Sequence, residues 1–248
     1  MANWNDPQPT RTGFGASPSL NGDVLGNGAV YDQGLRRHML SIYNYMASGV
    51  LLSGIIAMLF AQSGMAAQVM ATPLRWVIML APLGFVFGMS MGVNRMKTST
   101  LQALFWGFCV VMGLSLSTIF LVFTGASIAT TFFATAGDFA GLSLYGYTTK
   151  KDLSGMGSFM VMGLIGILIA MVINIFLQSS GLQLAISILG VIIFAGLTAW
   201  DTQRLKGMYY QVAGTDFAGK AVVLGALTLY LDFINMFQFL LSFLGNRN

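Results

Sequence analysis

The sequence predicts an all-α membrane protein of seven transmembrane helices, and three observations carry the prediction. Of 248 residues, 56% are hydrophobic and only 8% are charged, against about 25% charge in an ordinary soluble domain. The acidic residues are eight aspartates with no glutamate, so the chain has too few charges to cover a soluble surface. The charges also cluster between long uncharged stretches, each of a length that spans a bilayer once or twice. A net charge of +4 would suggest nucleic acid in a soluble chain; here the basic residues read as topology signals in short loops.

Residues 1–38 form a polar tail that contains three of the five prolines, Pro7, Pro9 and Pro18. Such a segment buries too little apolar area to offset its chain entropy and is expected to be disordered. It is no signal peptide, because the hydrophobic run that follows is too long for one. The transmembrane domain is expected over 39–248.

A transmembrane helix takes about 20 apolar residues. Helix 1 is expected over 40–60, followed by a polar loop at 62–72. Arg75 and Arg95 bracket 19 residues, which make helix 2. The 52 residues of 98–149 carry one charge, Asp138, and fit helices 3 and 4 with a turn near 123–127. The 48 uncharged residues of 153–200 fit helices 5 and 6, turning at 178–183. Helix 7 runs over 221–246, interrupted only by Asp232. In helix 2, Gly84, Gly88 and Gly92 form a row that would let a neighbouring helix approach closely.

An odd number of spans separates the basic residues sharply. With the N-terminus in the cytoplasm, ten Lys and Arg residues fall inside and two, Arg75 and Arg247, outside. The expected topology is therefore N-terminus cytoplasmic and C-terminus outside.

Little material exists for catalysis. The single cysteine, Cys109, lies in an apolar run, and the single histidine, His38, adjoins Arg36 and Arg37 where it reads as a headgroup-level residue. No Cys/His spacing suggests zinc, and no nucleophile–base grouping suggests an enzyme. The informative charges are those inside spans, where a carboxylate costs several kcal/mol unless paired, protonated or wetted. Three qualify: Asp138 in helix 4, Asp201 near the inner end of helix 6 and Asp232 in helix 7. Asp201 has a local alternative, an interfacial pair with Arg204 or Lys206. Asp232 has no local cation. Asp138, flanked by Ala134, Gly137 and Gly141, is expected to face the bundle as a protonated, hydrogen-bonded acid; the competing reading makes it an oxygen donor along an ion path.

The stretches LSLYGYTTKKDLS at 142–154, AWDTQ at 199–203 and LYLDFINMF at 229–237 resemble the Bax inhibitor-1 (transmembrane Bax inhibitor motif) family, in its bacterial branch. The resemblance covers about residues 36–245. It implies seven helices with helix 7 central and surrounded by helices 1–6, and a pH-sensitive calcium leak channel of the bacterial inner membrane. It assigns the proton and calcium sensor to Asp201 and Asp232, and a possible gating partner to Arg95; Asp138 departs from the family's pattern. It implies no tightly bound cofactor, calcium being the permeant or weakly bound ion, and a link to a membrane-bound ATP-dependent protease. The competing functions are a modulator of that protease acting through the N-terminal tail, and a proton-coupled transporter using the same acids.

Physics makes a sensor reasonable. Two carboxylates in contact cannot both ionise cheaply, so the pair shares a proton and an O–H···O⁻ bond ties the helices together. Calcium takes 6–8 oxygens, of which two aspartates supply at most four, so binding is weak. One geometric obstacle stands. Counting 1.5 Å per residue, Asp232 lies about 16–18 Å beyond Lys220, while Asp201 lies about 5 Å before Arg204. Straight helices of equal depth do not bring these two together. Either 221–224 lies in the interface, or helix 7 lines a water-filled cavity open inward.

Overall fold

The computed structural model describes the backbone of residues 20–247 and the side chains of residues 33–247. Among them lie nine helices: α1 (Leu20–Gln62), α2 (Met65–Met70), α3 (Leu74–Gly92), α4 (Thr98–Leu116), α5 (Ile119–Val122), α6 (Gly125–Thr148), α7 (Ser154–Leu177), α8 (Ser180–Val212) and α9 (Ala218–Leu244). Residues 38–248 form one compact unit. The tail expected to be disordered falls outside the described residues over 1–19; from Leu20 onward the backbone is helical.

Among the described residues, six helical segments are long and apolar enough to cross a membrane: 33–62, 74–92, 98–122, 154–177, 180–212 and 218–244. The expected seven therefore reduce to six by length and composition. The difference is α6, which has 24 residues but so many Thr, Gly and Ala that its apolarity falls below that of the others. The loop expected at 62–72 instead holds the short helix α2.

Cross-links between helix ends show how the bundle is tied. At one end, Lys220 Nζ donates to Val93 O at 2.9 Å and Lys206 Nζ to Tyr147 O at 2.8 Å. Gln203 joins them, accepting from Leu153 N at 2.9 Å and donating to Lys151 O at 2.8 Å, which fastens the start of α7 to α8. At the other end, Thr124 N donates to Asn246 O at 3.1 Å and Asn246 N to Ser127 Oγ at 2.9 Å. Arg95, Lys97, Lys150, Lys151 and Lys220 thus gather at the first end, with Arg75 and Arg247 at the second. Helix α6 connects the two ends, starting beside Asn246 and finishing beside Lys206.

Helix α9 is the most enclosed span: 61% of its apolar window is buried, against 6% for α7. The exposed face of α7 carries Phe159, Met162, Ile165 and Phe176, an apolar surface far larger than soluble monomers show. Lipid is the solvent this face fits.

Helices in lipid gain from close packing and from internal hydrogen bonds, since apolar burial alone distinguishes little between a neighbour and an acyl chain. Both devices occur. A Cβ on Gly146 of α6 would collide with the carbonyl of Ala199 on α8, and one on Gly113 of α4 with the carbonyl of Ser53 on α1. Ser53 itself is a buried node: its Oγ lies 2.7 Å from Cys109 O, 2.7 Å from Tyr230 Oη and 3.0 Å from Gly49 O. It links α1, α4 and α9 with every polar atom engaged. The row of Gly84, Gly88 and Gly92 does not act as expected. Gly84 and Gly88 face open space and Gly92 meets only Met96 of its own turn; α3 buries Pro82 and Met89 instead.

Replacing Gly146 by Val should lower thermal stability in detergent by about 1–3 kcal/mol, the usual cost of overpacking. Val at Gly137, which meets no neighbour, should leave the melting temperature within error. Equal effects at both positions would show that the α6–α8 crossing is not the reason for Gly146.

Candidate functional site

The two aspartates named from the sequence meet in the structure. Asp201 on α8 is 6% exposed and Asp232 on α9 is 4% exposed, and their carboxyl groups are neighbours across the α8–α9 contact. The obstacle of depth dissolves because α8 does not stop near Arg204. It continues to Val212, so Asp201 lies 11 residues from its end and Asp232 lies 14 residues from the start of α9. At 1.5 Å per residue these distances are about 17 and 21 Å, and the helices meet as antiparallel neighbours of nearly equal depth. The reading of Asp201 as a residue near a helix end is corrected accordingly; Arg204 and Lys206 are helical residues, not loop residues.

The local sequences explain why these side chains turn inward. On α8, Phe194, Leu197, Asp201 and Leu205 recur at three- and four-residue spacing and are all buried. On α9, Leu229, Asp232, Phe233, Met236 and Leu240 do the same. Each aspartate therefore sits on its helix's buried face. Beside the pair, Ser143 Oγ of α6 lies 3.2 Å from Thr202 Oγ1, placing two buried hydroxyls at the same level. Asp232 Oδ2 finds no hydrogen-bond donor among the described residues.

Cations are distributed unevenly around the pair. Arg204 Nη1 stands 3.9 Å from Asp201 Oδ1, one helical turn away, with its side chain 60% exposed and its guanidinium over the Trp200 ring. Lys206 turns aside to Tyr147, as described above. Arg95, the gating partner suggested by the resemblance, is exposed in the turn between α3 and α4, and among the described residues it forms no ion pair with either aspartate. The cation at the pair is Arg204. Its i,i+3 spacing from Asp201 is legible in the sequence, whereas the hydroxyls of Ser143 and Thr202, 59 positions apart, become neighbours only in the fold.

Asp138 does not join them. It is exposed on the outward side of α6, off the buried stripe of Thr131, Thr135, Phe139, Ser143 and Gly146. The expectation that it faces the bundle is corrected. Its small neighbours Gly137 and Gly141 border open space rather than a packed helix. His38 also departs from expectation: it is 7% exposed, with its ring 5.4 Å from that of Tyr209, so it packs within the bundle rather than facing headgroups.

Among the described residues no group of three His, Cys, Asp or Glu side chains gathers to hold a metal. The site therefore consists of two carboxyls, one flanking guanidinium and nearby hydroxyls. Such an arrangement can exchange a proton or lodge a cation weakly.

A cavity of about 290 Å³ lies between α3, α8 and α9, with Ser90, Arg204, Thr228 and Leu231 in its wall. A second, of about 240 Å³, lies farther along α8 and α9 against α7, with Gln183, Asn235, Gln238 and Ser242 in its wall. A third, of about 500 Å³, is bounded by α1, α4, α6 and α9 and is almost wholly apolar.

The family model described as "Inhibitor of apoptosis-promoting Bax1" matches residues 35–248. An uncharacterized protein of Rickettsia prowazekii is 49% identical over 219 residues, covering 88% of this chain and 92% of that one. An uncharacterized protein of Caulobacter vibrioides is 48% identical, over 87% of this chain and 91% of that one. Inner membrane protein YbhL of Escherichia coli is 44% identical over 218 residues, covering 86% and 93%. With the family model matching nearly the whole described bundle and relatives this similar, the chain belongs to the Bax inhibitor-1 family.

Proposed function

We propose that the protein is a pH-sensitive calcium leak channel of the bacterial inner membrane, with the Asp201–Asp232 pair as its sensor. The observation that carries this reading is the meeting of two buried carboxyls on adjacent membrane-spanning helices. Holding two like charges in a low-dielectric bundle is costly, and a stable fold has no use for it unless one proton is shared. The shared proton bridges α8 and α9; its loss leaves two anions that repel and favour separation of the helices. Arg204 offsets part of that repulsion from the solvent side, weakly because it is exposed. A passing calcium ion meets up to four carboxylate oxygens and completes its shell with water, which suits permeation better than storage.

The same reading makes α6 a seventh span and α9 the central helix. The end-to-end run of α6 and the burial of α9 support it, as does the gathering of basic residues at one end. That end is the cytoplasmic one in this reading, with the C-terminus outside. The inner-membrane placement draws on the name of the Escherichia coli relative.

Calcium flux into proteoliposomes should rise with pH in the wild type. Asp232→Asn and Asp201→Asn should each flatten that dependence, and the double variant should add little, because the two act as a unit. Strictly additive effects, or a pH profile unaltered in folded Asp232→Asn protein, would remove the pair from the mechanism. Asp138→Asn should leave both flux and its pH profile unchanged, since Asp138 points away from the pair; a large loss of flux would place it on the ion path. A reporter fused after Asn248 should lie outside and one inserted at Gly214 inside; finding both on one side would leave six spans.

A further inference from the structure

We infer that the 500 Å³ cavity is a phospholipid site, taking one acyl chain between α1 and α6 with an anionic headgroup at its mouth beside Arg247. The inference goes beyond the channel reading and does not depend on it.

The cavity is built from helix ends on one side of the bundle. It runs from Gln62 back to Val50 on α1 and from Gly125 to Phe133 on α6, and it reaches Ile234 on α9. Ile234 lies 10 residues before the end of its helix. At 1.5 Å per residue these stretches are about 12–18 Å deep, roughly half of a hydrocarbon core of about 30 Å. That half is the depth of one leaflet's acyl chains.

The floor is buried and the rim faces lipid. Ala57, Leu116, Ile234 and Phe237 are each at most 9% exposed, whereas Met58 and Phe133 at the rim are 39% and 73% exposed. Among the described residues, Gln62 supplies the one polar side chain of the wall. A water molecule needs two to four polar partners to stay in such a place. An empty wall forfeits dispersion contacts on one side. In a bilayer the apolar group that meets both conditions is an acyl chain.

Small side chains make the room. Gly54, Ala57, Gly125 and Ala129 line the cavity, and a Cβ on Gly54 or Gly125 would meet no atom within 4 Å. Gly146 and Gly113 differ, since the Cβ missing there admits a neighbouring backbone. Beyond Leu116, α4 gives way to the short α5, which contributes Ile119 and Phe120 to the wall.

The mouth carries a charge complementary to a phosphate. Thr124 and Ser127 hold Asn246 against the start of α6. Arg247, the next residue, pairs with Phe123 and sets its guanidinium 5.9 Å from the centre of that ring, two residues before Gly125 in the wall. Arg75, the other cation described at this end, stands over Trp76 instead. A guanidinium binds phosphate through paired hydrogen bonds. A phospholipid whose chain fills the cavity therefore meets a counter-charge at the rim, and a net negative headgroup suits it better than one that brings a second cation.

Lipid retention and thermal melting of the full chain in detergent test the site. Native mass spectrometry with dioleoyl-phosphatidylglycerol should retain one phospholipid per chain, and dioleoyl-phosphatidylcholine should be retained several-fold less. Phosphatidylglycerol should also raise the melting temperature, because a ligand of the folded state stabilises it; glycerol 3-phosphate, which lacks the chains, should not. Gly54→Leu and Ala129→Leu place side chains in the cavity, so each should lose the retained lipid and the thermal response while staying folded. Gly166→Leu, on the lipid-facing α7 where a Cβ also meets nothing, should keep both. Arg247→Gln should bring phosphatidylglycerol down to the level of phosphatidylcholine. No retained lipid in the wild type, or full retention in folded Gly54→Leu and Ala129→Leu, would overturn the site. Equal loss in Gly166→Leu would overturn it too, by showing that only the surrounding lipid shell was measured. A response to glycerol 3-phosphate alone would replace the lipid by a soluble phosphate, and equal retention of the two headgroups would remove Arg247 from the site.

Discussion

The antiparallel contact of α8 and α9 is the constraint on which the rest of the structure depends. It is a helix pair in which each buried face carries one carboxyl at the same depth. Acidic groups at that depth are tolerated only when they share a proton or meet a cation. Everything around the pair enforces the depth. Lys206 and Gln203 fasten α8 to the ends of α6 and α7, and Lys220 fastens the start of α9 to the turn after α3. Asn246 fastens its far end to the start of α6. A one-residue slip of either helix would turn its aspartate about 100° off the seam.

The remaining helices divide between support and screening. Helix α6 crosses α8 with backbone-to-backbone closeness at Gly146, and α1 and α4 grip α9 through the Ser53–Tyr230–Cys109 node. These are the two means of holding helices together when the surrounding solvent is as apolar as the side chains. Helix α7 contributes little to the interior and presents its large side chains outward. Its role at the seam is to wall the 240 Å³ cavity with Leu164, Ile167, Leu168 and Met171. Among the described residues, the buried polar side chains gather mainly on α6 (Thr131, Thr135, Ser143) and α8 (Ser187, Thr198, Asp201, Thr202), with Asp232 on α9.

Membership of the Bax inhibitor-1 family and the geometry of the pair bear on function at different levels. The family match covers the bundle as a whole. The pair identifies the place in the bundle where two buried carboxyls from adjacent helices come together. Asp138, the third acid in a helix long enough to cross, lies exposed on α6, off that helix's buried stripe.

Composition and charge spacing by themselves determined that this is a membrane-spanning helical chain, where most of its helices lie and that three aspartates fall within them; the family resemblance, not the spacing, singled out Asp201 and Asp232. A span is a local property: its length and apolarity are written in consecutive residues, and so is the i,i+3 relation of Asp201 to Arg204. Three things were decided only by tertiary structure. The depth of Asp201 depended on α8 continuing to Val212, through Arg204, Lys206 and two tyrosines, a continuation fixed in part by Lys206 bonding the end of α6. The orientation of Asp138 and the emptiness beside Gly84 and Gly88 depended on which helix faces found neighbours, which small-residue spacing leaves undetermined. The stacking of Phe194 on Phe239, 45 positions apart, depended on the register of two antiparallel helices. Local sequence specifies what a helix can bury; only the packing of all the helices together specifies what it does bury, and against what.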